Sequence, residues 1–304
     1  MKIIFMGTPE FAAVSLRSLI ENKIEIAAVF CQPDKASGRG KKIKFCPVKE
    51  VAISSGLPVC QPNSLRDEDV TSLIKSISPD LIVVVAYGKI LPSSVLNVPK
   101  YGCINVHASL LPKYRGSAPI QHALLNGEKS TGITTMYLNE KMDAGDMIYS
   151  YSMEILPDET SDSLFERMAP IGAELLLKTI RAIENGTAPR IPQEDSQATF
   201  APMISKELSP IEWTEAAETI RAKIYALQSW PCATALFDET LFKILSAHID
   251  SDTSEKECGT VLSADKSGIR VVCGDGKILC ITEIQASGGK RMTVASYLLG
   301  HKLF

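Results

Sequence analysis

Two polar side chains with complementary chemistry stand two residues apart in Asn105-Val106-His107. On an extended stretch such a pair points to one side. A carboxamide can donate a hydrogen bond to an oxygen that is gaining negative charge, and an imidazole can move protons near neutral pH. Together they suit acyl-group chemistry. Ser109 follows, and Leu110-Leu111-Pro112 sets an apolar segment directly beside the polar pair. A serine nucleophile would want a G-x-S-x-G elbow, which is absent, so the hydroxyl reads as a loop-fixing group. Further acid comes from Met142-Asp143-Ala144-Gly145-Asp146. A carboxylate near His107 would orient the imidazole or hold a water, whereas the plainer reading of this stretch is a hairpin turn. Two aspartates and one histidine could also hold a metal, but no third neutral ligand stands at a regular offset.

The elements that must position these residues are legible upstream. KIIFMG reads as a β-strand ending on Gly-Thr-Pro, and FAAVSLRSLIEN carries the apolar period of a helix. EIAAVFC (25–31) is a second buried strand, PVKEVAISSG a helix closed by Gly56, LPVCQP a short third strand and DVTSLIKSISP a further helix. DLIVVVAYG (80–88) is nearly continuous apolar sequence, the mark of a strand covered on both faces. Alternating strands and helices predict a parallel sheet flanked by helices. Gly-Thr-Pro is not the G-x-G-x-x-G fingerprint, so a dinucleotide site is unsupported. In open parallel sheets ligands bind beyond the carboxyl ends of the strands, and Asn105 and His107 follow Gly102-Cys103-Ile104, another expected strand. TGITTMYLNEKMDAGDMIYSY (131–151) reads as strand, tight loop, strand.

Three further segments complete the organisation. DKASGRGKKIK (34–44) is a glycine- and lysine-rich insert, by default a solvated flexible loop and functionally a phosphate-contacting one. From about residue 186 prolines accumulate and apolar clusters thin out, as in a linker. PIEWTEAAETIRAKIYAL (210–227) then suggests a helix, with Ser-Pro before it and Glu212 near its start. CATALF, LFKILSAHI, GTVLSA, GIRVVCGDG and KILCITEIQ suggest short strands of a small barrel, with a tight hairpin at Gly274-Asp275-Gly276. The fold class expected is α/β: a Rossmann-like, mostly parallel sheet in a catalytic domain over 1–189, a linker over 190–208, and a small OB-like β-barrel over 209–304.

Composition bounds the function. Hydrophobic residues make up 45% of the 304, charged residues 22%, and the net charge is -3. A packed core is expected, and coating of nucleic acid through overall charge is not. The eight cysteines form no C-x-x-C pair, so they read as small apolar residues of a reducing compartment, and no metal site is expected. Gly7, Thr8 and Pro9 interrupt the apolar run Ile3–Met6 too early for a signal peptide or a membrane span, which predicts a cytoplasmic protein without an anchor.

Several stretches resemble one family from end to end: MKIIFMGTPEFA, QPDKASGRGKK, AYGKILP, NVHASLLPKYRGSAPI, MDAGDM, ATFAPMISKE, SWPCA and KRMTVASYLLGH. The chain resembles the methionyl-tRNA formyltransferases, which belong to the formyltetrahydrofolate-dependent formyltransferases. That resemblance implies 10-formyltetrahydrofolate as formyl donor, methionyl initiator tRNA as acceptor, and no metal. It implies a direct attack by the neutral α-amine through a tetrahedral oxyanion, without a covalent enzyme intermediate. Asn105 and His107 would stabilise the oxyanion, Asp143 would orient His107, and Ser109, Leu110, Leu111 and Pro112 would form part of the folate pocket. AYGKILP would line the pterin pocket through its backbone. Arg39, Lys41 and Lys42 become candidate tRNA contacts, the C-terminal barrel a tRNA-binding module, and the protein a monomer. The nearest alternative is a formyltransferase acting on a nucleotide-linked amino sugar, against which the lysine-rich insert argues. A folate-deformylating hydrolase would carry a different domain ahead of the catalytic one, and a non-catalytic RNA-binding protein would not need Asn105, His107 and Asp143 together.

Overall fold

The structure is a computed structural model that describes residues 1–37 and 42–303. It divides into two compact units. The first comprises Met1–Pro119, Ser130–Met153 and Phe165–Ala201; the second comprises Ile120–Lys129, Glu154–Leu164 and Pro202–Phe304.

In chain order the N-terminal elements are β1 (Ile3–Gly7), α1 (Glu10–Glu21), β2 (Ile26–Phe30), β3 (Lys35–Ser37), β4 (Lys42–Lys44) and α2 (Pro47–Ser54). They continue with β5 (Val59–Cys60), α3 (Glu68–Ile77), β6 (Leu81–Val85), α4 (Ser93–Leu96), β7 (Cys103–His107), β8 (Arg115–Gly116), α5 (Pro119–Leu125), β9 (Ser130–Tyr137) and β10 (Met147–Glu154). The long helix α6 (Ser161–Glu184) and the short strand β11 (Phe200–Ala201) follow.

One seven-stranded sheet runs β10-β9-β7-β6-β1-β2-β5. The pairings from β5 through β2, β1 and β6 to β7 are parallel. Every residue of β1 and β6 is buried, because both sheet faces are covered and an all-apolar strand is the sequence that tolerates this. Ile4, Met6, Phe30, Ile82 and Val84 share one core cluster on one of those faces. At β7 the pattern changes. Its other neighbour, β9, runs antiparallel, with Asn105 opposite Met136 and His107 opposite Thr134. The expected catalytic strand therefore lies where the parallel stack meets an antiparallel extension.

Two expectations need adjustment here. The ends of the basic insert are not loop: Lys35–Ser37 pairs antiparallel with Lys42–Lys44, so backbone hydrogen bonding overrides the glycine-rich composition at its base. The connection between β9 and β10 is a loop over 138–146, not a tight turn.

The second unit holds α7 (Ala217–Ala226), β12 (Ala233–Phe237), β13 (Thr240–Thr253), β14 (Val261–Asp265), β15 (Gly268–Val272), β16 (Lys277–Ala286), β17 (Met292–Thr293) and α8 (Val294–Leu298). Its strands pair antiparallel in the order β12-β13-β16-β15-β14, with β17 added on β16. The five strands read from sequence are all present. Ile220 and Ile224 of α7 join Phe237, Phe242 and Ile281 in its core. Five of the eight cysteines are buried and all are free thiols. Burial pushes the Cys103 thiol up to about 12, as suits a packing residue.

The helix expected over 210–227 is shorter than its sequence pattern. Thr234 N–H donates to the Ser209 carbonyl at 2.7 Å and Ile211 N–H to the Thr234 carbonyl at 2.8 Å, so residues 209–211 extend the sheet beside β12. Ser209, Pro210 and Glu212 therefore do not start a helix. The start of α7 is set from a distance: the Asp275 carboxylate accepts from Ala217 N–H at 3.2 Å, and Gly274 N–H donates to the Glu215 carbonyl at 2.9 Å. Both residues sit in the β15–β16 hairpin, whose turn closes through Cys273 N–H to the Lys277 carbonyl at 2.8 Å, with Gly276 at φ +75°. A side chain from the hairpin thus replaces the local cap that Ala216 cannot supply. Asp275→Ala should destabilise the protein by about 1 kcal/mol, as loss of a helix cap does; an unchanged urea-denaturation midpoint would show that the cap carries no stability.

Candidate active site

Asn105 and His107 end β7 and, two residues apart on a strand, lie on the same side of it. Asn105 is partly exposed, and among the described residues its carboxamide makes no hydrogen bond. His107 is 5% exposed. Its Nε2 lies 2.9 Å from the Tyr114 carbonyl oxygen. A carbonyl only accepts, so Nε2 carries the proton of that bond, and Nδ1 is the ring nitrogen left for exchange. Nδ1 faces the Asp143 carboxylate, with Oδ2 at 3.8 Å. That gap is too long for a direct hydrogen bond and close enough for charge attraction to a protonated ring.

Asp143 is held from two sides. Its Oδ2 accepts from Gly116 N–H at 2.9 Å. Its carbonyl accepts from Gln193 Nε2 at 2.9 Å, and the same amide group donates to the Gly145 carbonyl at 2.8 Å. Asp143 adopts φ +47°, a left-handed conformation that an aspartate tolerates but that needs support. Gly145 allows the loop to close on β9: a Cβ there would run into the Tyr137 carbonyl oxygen. The second carboxylate, Asp146, points elsewhere, to Arg190 at 3.4 Å.

The segment after His107 is fixed along its length. Ser109 is fully buried; its hydroxyl donates to the Lys113 carbonyl at 2.6 Å, and its own carbonyl accepts from the Thr134 hydroxyl at 2.7 Å. The hydroxyl thus ties the loop. Leu111 is buried and joined to Pro112 by a cis peptide, while Leu110 and Pro112 are half-buried. Tyr114 N–H donates to the Thr199 hydroxyl at 2.9 Å. Arg115 and Gly116 form β8, which pairs in parallel with β11, and a Cβ on Gly116 would run into the Ala201 carbonyl oxygen.

The sequence reading missed Thr134, Arg115, Gln193 and Gly116. Arg115 is 5% exposed; its Nε donates to Gln193 Oε1 at 2.9 Å and its Nη2 to Asp195 Oδ1 at 2.8 Å. The Arg115 guanidinium holds the Asp195 carboxyl below the usual carboxylate range. The signal for these residues was faint: Arg115 and Gly116 stood in a resembling stretch, RGSAPI, but Gln193 and Thr134 stood in none, and nothing in the spacing pairs Arg115 with Gln193 across some eighty residues.

Beyond β6, Ala86 and Gly88 take positive φ, and the Tyr87 carbonyl between them accepts from the Gln32 carboxamide at 3.0 Å and the Thr8 hydroxyl at 3.3 Å. The 86–88 backbone is thereby anchored to the carboxyl ends of β1 and β2. Of the three basic candidates, Arg39 and Lys41 lie outside the described residues, and for Lys42 only the backbone, in β4, is described. Among the described residues no group of three or more His, Cys, Asp or Glu is placed to hold a metal ion, and no helix is long and apolar enough to cross a membrane.

Residues 1–180 match the formyl transferase family, and residues 203–302 match the formyl transferase C-terminal domain. The chain is 46% identical to the methionyl-tRNA formyltransferase of Acetivibrio thermocellus over all 304 residues, covering 97% of that relative. It is 48% identical to the methionyl-tRNA formyltransferase of Alkaliphilus oremlandii over 303 residues, again covering 97% of it. Among solved structures it is similar to HypX from Aquifex aeolicus in complex with tetrahydrofolic acid, with a TM-score of 0.67 at 19% identity. That likeness covers 98% of this chain and 47% of HypX, so the chain spans about half of HypX and the two share a fold. The chain belongs to the formyl transferase family, among the methionyl-tRNA formyltransferases.

Proposed function

We propose that the protein transfers a formyl group from 10-formyltetrahydrofolate to the α-amino group of methionyl initiator tRNA. The observation that supports this reading is His107 facing Asp143, with Asn105 on the same side of its strand, in a chain whose full-length relatives bear that activity in their names. The folate supplies a formyl carbon activated on nitrogen. The residues present suit it: the uncommitted Asn105 carboxamide stands on the strand that leads into the apolar Leu110–Pro112 segment.

Each residue then has a distinct role. Asn105 offers its N–H to the carbonyl oxygen as negative charge develops there, a fixed donor that water would have to reorganise to match. His107, clamped at Nε2 by the Tyr114 carbonyl, presents Nδ1 as its working nitrogen. Asp143 sets a negative charge opposite the ring and fixes the face on which a proton or a bridging water is held. Ser109 keeps the loop in shape, and no covalent serine step is required. We assign the chemistry to residues 1–189, a crossing segment to 190–208 and a tRNA-holding β-domain to 209–304. Arg39, Lys41 and Lys42 of the basic insert are the proposed phosphate contacts. The protein is read as a cytoplasmic monomer. The names of the full-length relatives support the tRNA over an amino-sugar acceptor.

His107→Ala should lower kcat/KM for formyl transfer by about 10²–10⁴-fold, and Asn105→Ala by about 10²–10³-fold. Both should bind methionyl-tRNA as the unaltered protein does, measured by filter binding. Full activity in either variant would remove it from the site. Asp143→Asn keeps an oxygen for Gly116 N–H but loses the charge opposite His107; kcat should fall at least tenfold, a loss of about 1.4 kcal/mol in transition-state stabilisation. Unchanged kcat in that variant would show that the carboxylate plays no electrostatic part.

A further inference from the structure

Tyr114, Arg115 and Gly116 touch the site twice through their backbone, at the His107 ring and at the Asp143 carboxylate. The side chain between those two contacts, Arg115, turns to Gln193. Gln193 in turn donates to the Asp143 and Gly145 carbonyls from one amide nitrogen. The circuit is closed: the same three residues hold the histidine, the carboxylate and, through one glutamine, the loop that carries the carboxylate. Gln193 is a side chain that hydrogen-bonds both Arg115 and the backbone of this loop. It comes from a largely exposed segment, 190–200, that lies between the two family matches.

We infer that Gln193 is a positioning residue for the reaction, setting the place of Asp143 opposite His107 Nδ1. This rests on the formyl-transfer reading above. Three observations carry it. Asp143 sits at φ +47°, so its backbone needs an external hold. Gln193 provides that hold with both donors of one carboxamide, and its oxygen is oriented by a guanidinium that is itself 5% exposed. The alignment is also specific to an amide: only a carboxamide accepts from Arg115 while donating to two carbonyls. Gln193 touches neither His107 nor the reacting atoms, so it acts through Asp143.

The test is Gln193→Glu. A carboxylate keeps the partner of Arg115 and loses both donors, which places negative charge against the two carbonyls. In formyl transfer, kcat should fall about 10- to 100-fold, as small misplacements of reacting groups do, with KM for both substrates nearly unchanged. The pH profile of kcat should change shape. In protein labelled with ¹⁵N-histidine, the ring-nitrogen resonances of His107 should move, assigned by their absence in His107→Ala. Glu194→Gln, on an exposed neighbour, should leave kcat and those resonances as they were. If Gln193→Glu does not fold, Gln193→Met, which also lacks the donors, takes its place. Unchanged kcat, or a fall in activity with the His107 resonances unmoved, would overturn the inference. The resonance measurement needs no turnover, so absence of formyl transfer in the unaltered protein would overturn the functional reading while the positioning claim still stood or fell on its own.

Discussion

The site depends on one short constraint: three consecutive residues, Tyr114, Arg115 and Gly116, must present a carbonyl to His107 and an N–H to Asp143 at once. A backbone can do this only if it is held on its other side. Pairing of β8 with β11 provides that hold, and the close approach explains why residue 116 is glycine. Thr199, just before β11, fixes both neighbours, its hydroxyl accepting from Tyr114 N–H and its carbonyl from Arg115 N–H. This local geometry is therefore built by residues some eighty positions apart in sequence.

The surrounding architecture serves this constraint. The parallel part of the sheet brings its carboxyl ends together, and β7 contributes Asn105 and His107 at that edge. The antiparallel neighbour β9 then supplies Thr134, which anchors the loop after His107, and leads into the loop that carries Asp143. The two strands that flank β7 thus contribute differently. On one side β6 provides rigid, fully buried support, and on the other β9 delivers the acid. Among the described residues several polar groups near the site are committed to fixing backbone, while the Asn105 carboxamide makes no hydrogen bond and His107 Nδ1 faces only the Asp143 carboxylate.

Much of this was legible in the sequence because it follows from local rules. β-branched apolar runs such as LIVVV are typical of covered strands, and the Asn-x-His spacing puts both side chains on one face wherever the strand lies. Spacing alone did not separate Asp143 from Asp146; the family resemblance singled out Asp143, and in the fold it is Asp143 that turns toward His107 while Asp146 turns to Arg190. Gln193 and Arg115 were not legible: their roles exist only through contacts across distant segments. The helix at 210–227 shows the same limit from the other direction. Its periodicity is real, yet Ser209 and Ile211 find better partners on Thr234, and Asp275 of another hairpin decides where the helix begins.

The most direct measurement supplies 10-formyltetrahydrofolate with two acceptors in parallel, methionyl initiator tRNA and UDP-4-amino-4-deoxyarabinose, and follows the formyl group to product. The account predicts transfer to the tRNA alone. Transfer to the amino sugar alone would contradict it: the Asn105, His107 and Asp143 chemistry would stand, but the RNA roles given to the basic insert and the C-terminal sheet would not.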